Sequence, residues 1–207
     1  TLTGRISDPG TSFTVDVNWG DPLSPNNVEQ FTFASGTSSY ELTHQYLDDN
    51  PSATASDTYN IDLTFSGAVP FSDSATVVVN NVAPTLGDVS ATMLDEDRTT
   101  TLTGSIIDPG TLDTFVLEVN WGDPLSANNI QQASFAAGTT SFALTHQYAG
   151  GSGAYPIGLT ITDDDTGSTS HSTAVPGIRF SHLVTLGGDA AEFADYNNDG
   201  FADVSLG

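Results

Sequence analysis

The chain has 207 residues, with 26 Asp plus Glu against three basic residues (Arg5, Arg98 and Arg179), no Lys and no Cys. Its formal charge of −23 repels phosphate backbones and anionic membrane surfaces, so nucleic acid is an unsuitable partner. The missing thiols exclude disulfides and Cys-ligated metals, and no apolar run approaches the roughly 20 residues a membrane helix needs.

The chain opens in a strand, "TLTG" at residues 1–4, followed by the turn "DPG" at residues 8–10. Phe13, Val15, Val17 and Trp19 then alternate with Thr14, Asp16 and Asn18, the period of a strand with one buried face. That strand ends in "VNWGDPLS", residues 17–24. The Trp sits on the apolar parity and reads as a core anchor, and the Gly permits a sharp exit. The Asp can accept backbone N–H bonds in the turn. A second block, "LTHQY" at residues 42–46, puts His44 on the parity of Leu42 and Tyr46, as a hydrogen-bonded core residue. Tyr59, Ile61, Leu63 and Phe65 form another alternating row.

After the joint "NNVAPTL" at residues 80–86, the pattern returns. "TLTG" recurs at 101–104 and "DPG" at 108–110, and residues 15–46 match 117–148 without a gap at 21 of 32 positions. The offset changes from 100 to 102 to 96 between blocks, so insertions fall in loops. The second copy predicts strands near residues 89–93, 101–107, 114–121, 130–136, 141–148, 155–162 and 170–175. The first copy begins past the equivalent of the opening strand. Strands of this length and spacing, with no helical period, specify antiparallel sandwiches. Four residues of each copy are therefore expected to be structural: Trp19, Asp21, His44 and Tyr46, then Trp121, Asp123, His146 and Tyr148.

Two segments carry candidate ligand chemistry. Asp163, Asp164 and Asp165 are adjacent carboxylates that repel unless solvated or bound to a cation, a candidate weak Ca²⁺ site. In the tail, "DYNNDGFADV" places Asp195, Asn197, Asp199 and Asp203 at positions one, three, five and nine, with Gly200 at six. Alternate side-chain oxygens around a tight turn, with the Phe201 carbonyl at position seven, have the spacing of a Ca²⁺ loop. Position twelve is Leu206, so this is no EF-hand.

The blocks "TLTGSIIDPG…FVLEVNWGDP…FALTHQY…YPIGLTITDDDTGS" resemble the PKD (polycystic-kidney-disease-type) repeat. Pro22 and Pro124 stand where that pattern usually has Gly after the Asp. The tail "AAEFADYNNDGFADVSLG" resembles the FG-GAP or VCBS repeat. The resemblances imply two tandem immunoglobulin-like antiparallel β-sandwiches, the first truncated at its N-terminus. A short C-terminal β segment with a calcium loop follows. The corresponding domains are 1–81, 82–176 and 177–207. They imply a non-catalytic part of a secreted or cell-surface modular protein, a spacer or contact module for protein or carbohydrate, with Ca²⁺ held by Asp195, Asn197, Asp199, Phe201 and Asp203. The alternative is a binding accessory region of an extracellular hydrolase, for which Phe31, Phe33, Phe71 and Phe180 are the candidate stacking aromatics. No G-x-S-x-G, H-E-x-x-H, Cys nucleophile or Lys supplies a catalytic group.

Overall fold

A computed structural model describes residues 1–7, 10–49, 53–95, 97–150 and 154–176, and the backbone of two further strands at Glu192–Ala194 and Asp203–Ser205. The protein is all-β, built from antiparallel pairs. It divides into two compact units, Thr1–Val82 and Ala83–Gly207. Each contains an immunoglobulin-like sandwich.

In the first unit, β1 (Leu2–Arg5) pairs with β4 (Ser39–Leu42). The facing sheet runs β3-β2-β5-β6, from β2 (Phe13–Asn18), β3 (Val28–Phe33), β5 (Ser56–Ser66) and β6 (Phe71–Asn80). Along β5 burial alternates strictly, so Tyr59, Ile61, Leu63 and Phe65 point inward and Asn60, Asp62 and Thr64 outward. Ile61, Leu63 and Phe65 meet Val15, Val17, Trp19 and Leu42 in the core. Period-two sequence thus becomes a one-sided sheet.

The second unit repeats this plan with β8 (Thr99–Ile107), β9 (Phe115–Asn120), β10 (Ile130–Phe135), β11 (Ser141–Gln147), β12 (Pro156–Asp163) and β13 (Ser168–Ala174). It adds β7 (Thr85–Ala91), which pairs with β8 and gives the sheet β11-β8-β7 against β10-β9-β12-β13. No counterpart of β7 stands beside β1 among the described residues. The sequence expected this strand at residues 89–93, and it begins four residues earlier. The cause is a β-bulge between Gly87 and Ser90, with Asp88 at a φ of +50°. A bulge interrupts alternation, so the apolar parity cannot be followed across it.

Two short strands, β14 (Glu192–Ala194) and β15 (Asp203–Ser205), pair antiparallel, with Ala194 opposite Asp203. The expected ligands Asp195, Asn197, Asp199 and Phe201 lie outside the described residues, as does Phe180. For Asp203 only the backbone is described.

Phe31 and Phe33 are not free stacking platforms: both are half-buried and pack on the first core. Phe33 stacks on Phe13 at 5.2 Å, and Phe71 stacks on Phe65 at 4.2 Å while staying 48% exposed.

The two cores differ in size. Among the described residues, thirteen buried hydrophobic residues form the second cluster and seven the first. At about 1.5–3 kcal/mol per fully buried aliphatic or Phe side chain, that difference outweighs the small differences in turn chemistry between the copies. Urea unfolding should therefore be stepwise, the first unit melting earlier. Single-Trp variants report this: in Trp121→Phe the remaining Trp19 emission should change at lower urea than Trp121 emission does in Trp19→Phe. Coincident midpoints, or the reverse order, would contradict the ranking.

Candidate functional site

The most elaborate polar constellation occurs twice, once in each unit. It is built at the end of β2 and again at the end of β9. Trp19 and Trp121 continue the inward parity of those strands and are 1% and 0% exposed. A buried indole needs a partner for its N–H. The neighbouring strand supplies it: Trp19 Nε1 donates to Glu29 Oε2 at 2.8 Å, and Trp121 Nε1 to Gln131 Oε1 at 3.0 Å.

Gly20 and Gly122 follow at φ values of +72° and +68°. A Cβ there would lie 2.3 Å from the Asn60 carbonyl oxygen or 2.2 Å from that of Pro156. Only Gly fits, on grounds of both backbone region and space. The turn then tightens on side-chain oxygens. The Asp21 N–H donates to Asn27 Oδ1 and the Asp123 N–H to Asn129 Oδ1, both at 2.6 Å. Asn18 and Asn120 accept from the Gly N–H at 3.0 Å. The Ser24 and Ser126 amides donate to the carbonyls of Asp21 and Asp123. Pro22 and Pro124 leave this hydrogen-bonding pattern in place.

The Asp carboxylates meet His44, just beyond β4, and His146, in β11 of the facing sheet. His44 Nε2 lies 3.0 Å from Asp21 Oδ2, and His146 Nε2 lies 3.2 Å from Asp123 Oδ2. Each imidazole lies flat on its Trp, with ring centroids 5.0 and 4.9 Å apart. Each is also met edge-on by Tyr46 or Tyr148 at 4.7 Å. The phenols close the circuit by donating to the Trp19 carbonyl at 2.7 Å and the Trp121 carbonyl at 3.0 Å. Asp123 Oδ2 also accepts from the Ala149 N–H at 2.8 Å. All eight residues that the sequence marks as structural therefore stand in two equivalent networks. The Asp–His partnership itself was not apparent there, because 23 residues separate the members.

The acidic turn is assembled differently from its sequence. Asp163 turns inward, and its Oδ1 accepts the Gly167 N–H at 2.6 Å, closing the β12–β13 hairpin. Asp164 and Asp165 instead group with Asp113, from the loop before β9, one carboxylate oxygen of each lying within 4.8 Å of the other two. Asp113 and Asp165 are 2% and 4% exposed, and Asp164 is exposed. Asp164 Oδ1 accepts the Thr114 N–H at 2.7 Å, tying the hairpin to that loop. Asp113 is the member that sequence reading missed, because some 50 residues part it from the others.

The donor set suits a hard cation. Carboxylate oxygens about 2.4 Å from one Ca²⁺ can be up to about 4.8 Å apart, and one oxygen from each of the three lies within that limit of the others.

The chain matches no protein-family model and no curated protein. Among solved structures it is similar to a tetra-tandem repeat in the extending region of a large adhesion protein. The two are 22% identical with a TM-score of 0.47, covering 83% of this chain and 43% of that one. It is also similar to the FN1–FN3 domains of chicken CNTN1, at 10% identity and a TM-score of 0.31, covering 80% of this chain and 56% of that one. A third is the calcium binding domain CBD12 of CALX1.1, at 13% identity and a TM-score of 0.29, covering 76% and 68%. The chain thus spans less than two thirds of the first two. No helix among the described residues is long and apolar enough to cross a membrane.

Two outcomes follow from the networks. Gly122→Ala should destabilise the second unit by at least about 2 kcal/mol, through positive φ and the clash with Pro156, as read by urea unfolding. The second outcome is alkaline. Burial, reinforced by the Asp21 carboxylate, pushes the phenols of Tyr46 and Tyr59 up to about 12, and burial with Asp123 raises Tyr148 likewise. The folded chain holds these protons more tightly than the unfolded chain, whose phenols titrate near 10. Their stabilisation is therefore complete below pH about 10 and is lost as pH rises toward about 12. Phenolate absorbance should lag that of free tyrosine while the midpoint of unfolding falls across the same window.

Proposed function

We propose that this chain is a non-catalytic segment of a secreted or cell-surface modular protein. Its tandem sandwiches serve as spacer and contact modules, and Ca²⁺ stiffens the acidic turn of the second unit and the tail loop. The observation that carries the reading is duplication. The His–Asp pair, the one constellation with an outline of catalytic chemistry, stands in both units with the same partners. Every named contact of His44 and His146 is with Trp, Tyr or Asp, and no Ser or Thr hydroxyl hydrogen-bonds either ring among the described residues. A nucleophile–base pairing needs that contact. Closing a turn and joining two sheets needs only what is present.

Asp113, Asp164 and Asp165 would hold the ion in the second unit, two buried carboxylates and one exposed. The tail loop, with Asp195, Asn197, Asp199, Asp203 and the Phe201 carbonyl, would hold another, supported by its residue spacing. Bound Ca²⁺ supplies positive charge where carboxylates repel, and its affinity becomes stability by mass action.

Calorimetry of the whole chain tests this. At 10 to 100 times the dissociation constant, Ca²⁺ should add roughly 1.4–2.7 kcal/mol and raise Tm. Asp165→Asn should remove the increment of the second unit, and Asp199→Asn should abolish only the tail's contribution. An unchanged Tm in millimolar Ca²⁺ would overturn the cation assignment.

A further inference from the structure

One of the three basic residues stands in an unusual place. Arg98 lines a hollow of about 670 Å³ in the second unit, beside Ser126, Asn128, Gln131, Thr145 and Gln147. It is half-buried, and among the described residues its side chain makes no ion pair and no hydrogen bond. In a chain of charge −23, a guanidinium that pairs with no carboxylate among the described residues is unexpected on Coulombic grounds.

The loop that presents Arg98 is firmly built. Asp95 Oδ1 accepts the N–H groups of Asp97 and Thr99, and the Arg98 N–H donates to the Asp95 carbonyl at 2.9 Å. The Arg98 carbonyl in turn accepts the Tyr148 N–H at 3.0 Å. Arg98 itself holds a φ of +60°, a region that a long side chain avoids. Its lining partners are set the same way. Gln131 spends its Oε1 on Trp121, leaving its NH₂ to donate, and Gln147 donates Nε2 to the Asp97 carbonyl, leaving its Oε1 to accept. Ile130, 50% exposed, adds an apolar surface to the same wall.

We infer that this hollow is a binding site for an acidic saccharide, a hexuronate unit whose carboxylate is gripped by Arg98. The guanidinium fork matches one carboxylate with two parallel hydrogen bonds. Amide and hydroxyl side chains that can both donate and accept match neutral sugar hydroxyls, and Ile130 suits the apolar face of a pyranose ring. The size falls within the range of small-ligand pockets. Ligands carrying several charges, such as polyphosphates or strongly acidic peptides, meet the repulsion of exposed Asp97 and of the chain as a whole. A single carboxylate among hydroxyls incurs least of it.

The site and the carboxylate cluster lie toward opposite ends of β9. Asp113 precedes Phe115, which faces Asp163, whereas the turn of Trp121 and Ser126 follows Asn120, which faces Gly158. The inference deepens the contact-module reading and rests on it only for the absence of turnover. Its failure would leave the spacer and Ca²⁺ readings standing, since those are measured by Tm in Ca²⁺.

The test is titration of the whole chain with methyl galacturonide, which carries a single carboxylate, and, in parallel, its neutral counterpart methyl galactoside, followed by amide NMR. Saturable shifts at Thr145, Gln147 and Asn128 are expected at millimolar ligand. Arg98→Gln and Arg98→Gly should each weaken binding by roughly tenfold or more, and Arg5→Gln should leave it unchanged. Arg98→Gly suits the positive φ, so its loss of binding cannot be assigned to misfolding if its Tm is retained. Equal affinity for the neutral sugar, equal affinity for a Glu-containing peptide, binding that survives both Arg98 substitutions, or no saturable shift at all would each overturn the assignment.

Discussion

A carboxylate and an imidazole, brought together beneath the end of a strand, constrain everything else in each sandwich. Trp121 and Asp123 follow β9 in the four-stranded sheet, and His146 and Tyr148 come from or just after β11 in the facing sheet. The contact of Asp123 with His146, the flat stack of His146 on Trp121 and the bond from Tyr148 to the Trp121 carbonyl therefore join two layers. Immunoglobulin-like domains often join their layers with a disulfide packed on a Trp. This chain has no Cys, and a buried polar network occupies the comparable role. Such a network specifies geometry more than it adds stability, since removing one member leaves the other buried without its partner.

The network also accounts for the residue types around it. Gly122 is fixed by the approach of the Pro156 carbonyl, and Asn129 by the need to satisfy the Asp123 amide. Gln131 or Glu29 is fixed by the indole N–H. Exchange of Glu for Gln between the copies keeps the acceptor and changes the charge, so the hydrogen bond, not the charge, is the shared requirement.

Much of this architecture was legible in the residues because alternation is strict where one face is buried. Val15, Val17 and Trp19, and Ile157, Leu159 and Ile161, declare their strands and their inward faces. Legibility fails where geometry breaks the period or closes a distance. The bulge at Asp88 displaces β7, and the first copy's β4 ends at Leu42 although its twin β11 continues through Gln147. The carboxylate cluster was half visible: Asp164 and Asp165 are adjacent, but Asp113 joins them only through the pairing of β9 with β12. Arg98 gave no local signal, because a solitary cation becomes conspicuous only when its surroundings are known.

The close likeness of the two copies, gapless from residues 15–46 to 117–148, has a consequence for biogenesis. Neighbouring domains with interchangeable strands can trade them while emerging from the ribosome, and homologous tandem modules are prone to such misassembly. The shared turn, with its Trp, Asp and distant His, would accept the wrong partner as readily as the right one. What distinguishes the copies lies outside it: β7 and its bulge in one, the longer β5–β6 hairpin in the other, and loops of unequal length. The irregular features that hide from sequence periodicity are thus the ones by which the two copies differ for a strand seeking its own unit.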